Sequence, residues 1–216
     1  MAKKRSRLAQ GSPLTPAQER YLESLKGLRA VAGFYLAGGS GLALRLKHRQ
    51  SLDHDFFTPK AFQPQTLLAR LPKLSPRMKV LSREAGTLTV SAGGVKASFF
   101  RYPYPLLERT ELVAGKFPVA SLRDIGLMKL TAILDRGARK DFVDLYHILS
   151  AGLSLESLLD DLPRKFPGIE YPKYVFLKAL VYFADADAEP LVLLKPTPSW
   201  KKLQEHFRAE VASVRL

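Results

Sequence analysis

Cysteine is absent from this chain, which excludes disulfides and thiolate metal sites, so any metal it binds must sit on oxygen or imidazole ligands. Long apolar runs are lacking too. No stretch approaches the roughly 18 to 20 apolar residues needed to cross a bilayer, and the basic start MAKKRSRLAQ is not followed by an apolar segment that would direct export. Together these absences predict a cytoplasmic protein without a membrane partner. Acidic residues are scarce beside basic ones, 20 Asp and Glu against 34 Lys and Arg, for a formal net charge of +14. A field of that sign concentrates polyanions such as nucleotides and RNA, which biases the partner without deciding the fold. What remains is globular in character: 46% hydrophobic and 25% charged residues exclude wholesale disorder and fibrous repeats.

Residues 1–15, with Lys3, Lys4, Arg5 and Arg7, read as a basic, flexible tail. From Pro16 to Val31, Leu22, Leu25, Leu28 and Val31 recur every three residues, predicting an amphipathic helix ended by Gly33. Phe34 to Ala37 predicts a strand and Gly38-Gly39 a turn, after which Leu42, Leu44 and Leu46 predict a helix leading to the basic cluster Lys47, His48, Arg49. Ser51 to Phe57 alternates as a strand, with Leu52 and Phe56 on one face and Asp53, Asp55 and Phe57 on the other. A short helix around Thr66 to Leu71 lies between Pro64 and Pro72. Three β-rich runs between Met78 and Tyr102, broken at Glu84-Ala85-Gly86 and Gly93-Gly94, predict an antiparallel meander. Ser121 with Asp124 three residues on is a capping pattern that predicts a helix to Arg136. A second helix follows from Lys140 to Leu149, and two or three more follow Leu155 between prolines. The fold class is α+β: an α/β core over residues 16–120, whose mixed or antiparallel sheet is flanked by helices, then a helical region over 121–216.

Asp53 and Asp55 share a strand face about 6 to 7 Å apart at the backbone. One hard cation such as Mg²⁺, which prefers oxygen ligands and shares them with phosphates, suits that spacing. Beside Leu52, Phe56 and Phe57 the carboxylates would be costly without a cation or donors; the bland alternative is a solvated pair. Gly38-Gly39-Ser40, between a strand and a helix, offers backbone donors to a triphosphate, or is a tight turn with Ser40 as helix cap. Asp141 and Asp144 fall on one helical face with Leu145 and Ile148, either as site acids or as salt-bridge partners of Arg136, Arg139, Lys140 or a neighbouring helix. Lys129 either reaches phosphate or lays its stem along the core. His54, between the aspartates, reads as a sheet histidine facing the opposite side rather than as a metal ligand.

Taken together, Leu36-Ala37-Gly38-Gly39-Ser40, the patch Lys47 to Arg49, and Ser51-Leu52-Asp53-His54-Asp55-Phe56-Phe57 resemble the polymerase-β-type nucleotidyltransferase signature, and within it the AbiEii-type toxins. A second block, Lys129 with Arg136 and Lys140-Asp141-Phe142-Val143-Asp144-Leu145, is similar to that family's downstream motifs. The resemblance implies a polymerase-β-like domain that transfers a nucleoside monophosphate from a nucleoside triphosphate to an acceptor. It implies Mg²⁺, or Mn²⁺ in its place, on Asp53 and Asp55. Gly38, Gly39, Ser40, Arg49 and Lys129 would bind the nucleotide; Lys129 and Asp141 would join the catalytic set, with Asp144 as a second candidate. Many enzymes of the superfamily carry a third carboxylate on a later strand, where this chain has Ser98, and the resemblance assigns that part to Asp141. An RNA acceptor such as a tRNA 3′ end suits the charge and the aromatic residues among cations at Arg101 to Tyr104 and Lys173 to Tyr182; a cognate antitoxin is the implied protein partner. The alternatives are a noncatalytic nucleotide- or nucleic-acid-binding protein that retains the fold, and a nucleotidyltransferase for small molecules.

Overall fold

In the computed structural model the chain is described over residues 11–72, 78–113, 117–186 and 191–215. The basic residues Lys3, Lys4, Arg5 and Arg7 of the expected tail lie outside them. Within the tail as drawn, Leu14 is buried and the Pro13 carbonyl accepts a hydrogen bond from Ser51 N–H at 3.3 Å, so chain packing begins before residue 16.

Helix α1 (Pro16–Leu25) starts at a capping box: the Thr15 side chain accepts from Gln18 N–H, and the Gln18 side chain accepts from Thr15 N–H. It stops at Leu25, not Val31, because Gly27 turns the backbone left-handed at φ +74°. Arg29–Val31 is a separate 3₁₀ turn. Then come β1 (Tyr35–Leu36), α2 (Gly38–Leu46), β2 (Asp53–Thr58) and α3 (Pro64–Arg70). The predicted meander follows as β3 (Lys79–Glu84), β4 (Thr87–Ala92) and β5 (Val95–Arg101), antiparallel throughout. Two strands that the sequence did not announce come next, β6 (Glu111–Val113) and β7 (Phe117–Val119). They are too short to show alternation, and Pro118 argues against a strand.

The helical part comprises α4 (Leu122–Arg136), α5 (Arg139–Ser150), α6 (Leu155–Asp160), α7 (Leu162–Lys165), α8 (Lys173–Val181) and α9 (Trp200–Ser213). Among the described residues that is four helices from Leu155 onward, where two or three were expected. None among the described residues is long and apolar enough to cross a membrane.

The strands form one mixed sheet in the order β3-β4-β5-β2-β1-β7-β6, with β2 parallel to β5 and β1 parallel to β7. One face is closed by an aromatic core in which the Phe56 ring stacks on Phe99 at 4.8 Å and meets Phe117 edge-on at 5.1 Å. A second core joins the helices, with Phe142 against Phe207 at 5.4 Å. Helix α4 belongs to both, since Ile125 packs with the sheet core and Leu127 and Leu130 with the helical one. At Gly126 an added Cβ would lie 3.1 Å from a Leu158 methyl, so this glycine lets α6 approach. The fold is thereby α+β, and its two parts are fixed together where α4 passes the sheet.

Candidate active site

Period-two alternation sets the first half of the site. Along β2, His54, Phe56 and Thr58 are buried while Asp53, Asp55 and Phe57 face the other way. Leu52, expected to enter the core, precedes the strand and is 70% exposed. The parallel register pairs Asp53 with Lys96, Asp55 with Ser98 and Phe57 with Phe100, and all six line a cleft of about 530 Å³. Its other walls come from the start of α2, from Arg49 to Leu52, and from Met128, Lys129, Ala132 and Arg136 on α4. Leu191 and Val192 close one side, held by Gln50 N–H donating to the Val192 carbonyl at 2.9 Å. No signal in the sequence pointed to that segment.

The glycine pair has a physical reason. Gly38 is left-handed at φ +57°, and a Cβ there would lie 3.2 Å from Asp55 Oδ2; one on Gly39 would lie 2.7 Å from Arg49 Nη2 and 3.1 Å from Ser51 Oγ. The α2 N-terminus is thus bare backbone with a carboxylate, a guanidinium and a hydroxyl converging on it. Its N-cap is Ala37, without a side-chain cap, and the first intrahelical bond runs from Gly41 N–H to the Ala37 carbonyl, so the N–H groups of residues 38–40 have no partner within the helix. Ser40, expected as cap or phosphate ligand, is neither cap nor among the side chains lining the cleft: it is fully buried and its hydroxyl has no hydrogen-bond partner among the described residues.

Two pairs of aspartates sit in opposite surroundings. Burial and the adjacent charge of Asp53 push the Asp55 carboxyl above its ordinary range, while Asp53 is about half exposed and accepts from Lys96 Nζ at 3.3 Å. Asp141 and Asp144, in contrast, are fully buried behind cations and do not line the cleft. Asp141 accepts from Lys129 Nζ at 2.7 Å and Arg136 Nε at 2.8 Å. Asp144 takes a two-toothed guanidinium, Arg49 Nε at 2.6 Å and Nη2 at 2.8 Å, together with His48 Nε2 at 2.7 Å and Lys129 Nζ at 2.6 Å. Burial alone would raise both carboxyls, but Lys129 and the arginines outweigh it, holding Asp141 below its usual range and Asp144 well below. Burial would likewise strip Lys129 of its proton, and Asp144 and Asp141 reverse that and keep it an ammonium.

The salt-bridge alternative is therefore what the geometry shows for both acids, with Arg136 and, on the neighbouring helix, Lys129 as foreseen, and with Arg49 and His48 as partners that spacing could not supply. Arg49, Lys129 and Arg136 each reach the cleft while anchored from behind. His54 faces away, buried, its ring nitrogen 3.2 Å from the Gln18 carbonyl, and burial pushes it down to about 4; it is the sheet histidine expected.

Over residues 87–214 the sequence matches the nucleotidyl transferase AbiEii toxin family of type IV toxin–antitoxin systems. The chain belongs to the AbiEii family. As an AbiEii-family protein it is a nucleotidyltransferase, and the matched region holds Lys129, Arg136, Asp141 and Asp144, while the glycine pair and Asp53 and Asp55 lie before it. An uncharacterised protein of Aquifex aeolicus, aq_aa25, is 38% identical over 203 residues, 92% of this chain and 96% of that one. Two solved structures share the fold. MenT4, a nucleotidyltransferase toxin of Mycobacterium tuberculosis, aligns at a TM-score of 0.57 and 18% identity over 92% of this chain and 82% of its own. JHP933 of Helicobacter pylori aligns at 0.50 and 16% over 90% and 91%.

Proposed function

We propose that this AbiEii-family protein transfers a nucleoside monophosphate from a nucleoside triphosphate to a terminal hydroxyl of an RNA, such as a tRNA 3′ end, in the cytoplasm and under the control of a cognate antitoxin. The main support is one convergence: Asp53 and Asp55 share a cleft with the uncapped start of α2 and with the anchored cations Arg49, Lys129 and Arg136. The first two residues are suited to a metal and the rest to a triphosphate.

The donor set fits a hard divalent ion. Asp55 is held up by burial and by the like charge of Asp53, so the pair gains from a cation between them, and oxygen ligands two residues apart on one strand suit Mg²⁺ or Mn²⁺. When bound, the ion would offset phosphate charge and help align the reacting groups.

The chain's own residues do the rest. Backbone N–H groups at residues 38–40 receive phosphate oxygens, and the missing side chains at Gly38 and Gly39 let them approach. Arg49 and Lys129 are already fixed by Asp144 and Asp141, so they meet developing negative charge without first being ordered, the condition under which electrostatic stabilisation is largest. Asp141 and Asp144 act in this reading as positioning residues for those cations and not as metal ligands. Phe57, Phe100 and Met128 give the cleft an apolar lining that limits water. The net charge of +14 draws in the polyanionic acceptor.

The test is transfer of label from each of the four α-labelled ribonucleoside triphosphates to total RNA in the presence of Mg²⁺. Label should enter RNA with the intact protein and not with Asp53→Asn or Asp55→Asn, and the labelled species identifies the acceptor. Absence of both transfer and nucleotide binding removes the reading; binding that persists without transfer reduces it to a nucleotide-binding protein.

A further inference from the structure

The strand beside the metal-binding pair carries a lysine and a serine where further ligands would stand. In the parallel register of β2 and β5, Lys96 pairs with Asp53 and Ser98 with Asp55, and all four side chains belong to the cleft. Ser98 offers a neutral hydroxyl that already accepts from Thr89 Oγ1 at 3.3 Å. Lys96 offers an ammonium, 3.3 Å from Asp53 Oδ2. No cluster of three metal-ligating side chains occurs among the described residues; Asp141 and Asp144, behind the cleft, are spent on Lys129, Arg49, Arg136 and His48.

Charge and ligand supply then limit what the cleft can take. Two divalent ions held side by side need shared carboxylates as well as ligands of their own, and among the described residues two carboxylates, Asp53 and Asp55, line this site. With Lys96 in place the trio Asp53, Asp55 and Lys96 carries one net negative charge, which a single divalent ion reverses; a second would meet the ammonium. We propose that the site holds one divalent cation between Asp53 and Asp55, and that the Lys96 ammonium takes the charge position of a second. This rests on the metal-binding reading above. Because Lys96 is half exposed on a long, flexible stem, it can release Asp53 when the cation arrives and turn its charge toward the triphosphate. In the absence of nucleotide it competes with the ion for Asp53.

Counting Mn²⁺ decides this without activity. The full chain, free of nucleotide, is titrated with Mn²⁺ while the electron paramagnetic resonance signal of the free ion is followed, and folding of each variant is checked by its melting temperature. The wild-type protein should bind one Mn²⁺. Lys96→Gln should still bind one, about two- to fivefold more tightly, the equivalent of removing an exposed ion pair, and the gain should shrink in high salt. Lys96→Asp, which supplies a third carboxylate, should bind two. Two ions on the wild-type protein, or an affinity in Lys96→Gln unchanged or weakened, overturns the proposal while leaving the metal site standing. Failure of the wild-type protein to bind any Mn²⁺, or undiminished binding by an Asp53→Asn, Asp55→Asn double variant, removes the metal reading itself and the inference with it.

Discussion

Asp53 and Asp55 on one side, Asp141 and Asp144 on the other, are pairs of the same residue in one small region, yet the protein treats them oppositely. The strand pair is under-compensated, with Asp55 raised by burial and by its neighbour and Asp53 paired with the half-exposed Lys96. The helix pair is saturated, with two basic partners on Asp141 and three on Asp144. A carboxylate short of positive charge is prepared for a cation from solution, whereas one already surrounded by cations fixes those cations in place. On the proposed reading, the acidic residues at and behind the cleft divide into metal ligands and anchors according to what surrounds them.

The largest expected effect follows from breaking the ligand side. Asp55→Asn should reduce nucleotide transfer by about a thousandfold or more, the scale of losing a principal electrostatic element of an active site. Its melting temperature should be unchanged or higher, since a repulsion is removed. A large fall in stability alongside lost activity would mean that Asp55 is structural and that the contrast between the pairs is false.

Breaking the anchor side should give the reverse pattern. Asp144→Ala takes away the carboxylate that Arg49, Lys129 and His48 share, and removing one partner of a buried ion pair costs about 3 to 5 kcal/mol. For a chain of this size that lowers the melting temperature by roughly 6 to 20 °C. Mn²⁺ binding at Asp53 and Asp55 should survive in the fraction that remains folded. Loss of Mn²⁺ binding from a variant with native stability would instead make Asp144 a ligand.

Acid should separate the anchors from the histidines packed beside them. His147 is pushed down to about 4, by burial and then by the charge of nearby His48. The unfolded chain therefore takes up a proton near pH 6.5 that the folded form refuses until about 4, and stability falls through that window. Asp144 works at lower pH: its folded value lies well below the ordinary 3.8, so its contribution is complete above that value and is lost as pH falls further below it. Denaturant midpoints should decline between pH 6.5 and 4, and His147→Asn should remove on the order of 1 to 2 kcal/mol of that decline. A His147→Asn profile that falls as steeply as the wild type would place the acid sensitivity elsewhere.

How far the sequence revealed this arrangement depended on the range of the interactions. Strand alternation put Asp53 and Asp55 on one face, and the capping pattern at Ser121 placed α4 correctly, because both are set by residues a few positions apart. The glycine pair was readable as an open helix start, although the cap fell on Ala37 and Ser40 turned inward. The fate of Asp141 and Asp144 was half readable: salt bridging was one of two readings and Arg136 a named partner, but the choice between the readings and the partners of Asp144 from the α2–β2 loop were not. Asp144 is bound by His48 and Arg49, almost a hundred residues earlier in the chain, and spacing along α5 carries no trace of a loop that arrives from the sheet. The same holds for Leu191 and Val192, brought to the cleft by backbone hydrogen bonds that leave no side-chain pattern. Strands β6 and β7 were missed because three residues are too few to show a period, and β7 is interrupted by Pro118.

The smallest effect gives the sharpest control on what makes an anchor. Lys173 and Asp160 are in direct contact at the surface, with side chains 36% and 58% exposed, just as Lys129 and Asp144 are in the interior. Were contact distance the measure of strength, the surface pair would matter at least as much. In water, however, both groups are solvated when apart, so the pair gains little from meeting and holding it costs side-chain freedom; the buried groups have no such alternative. Lys173→Ala should therefore change stability by no more than about 1 kcal/mol, and the change should fade between low and high salt, while that of Asp144→Ala persists. A loss at Lys173 comparable to that at Asp144 would show that burial is not what distinguishes the two pairs of aspartates.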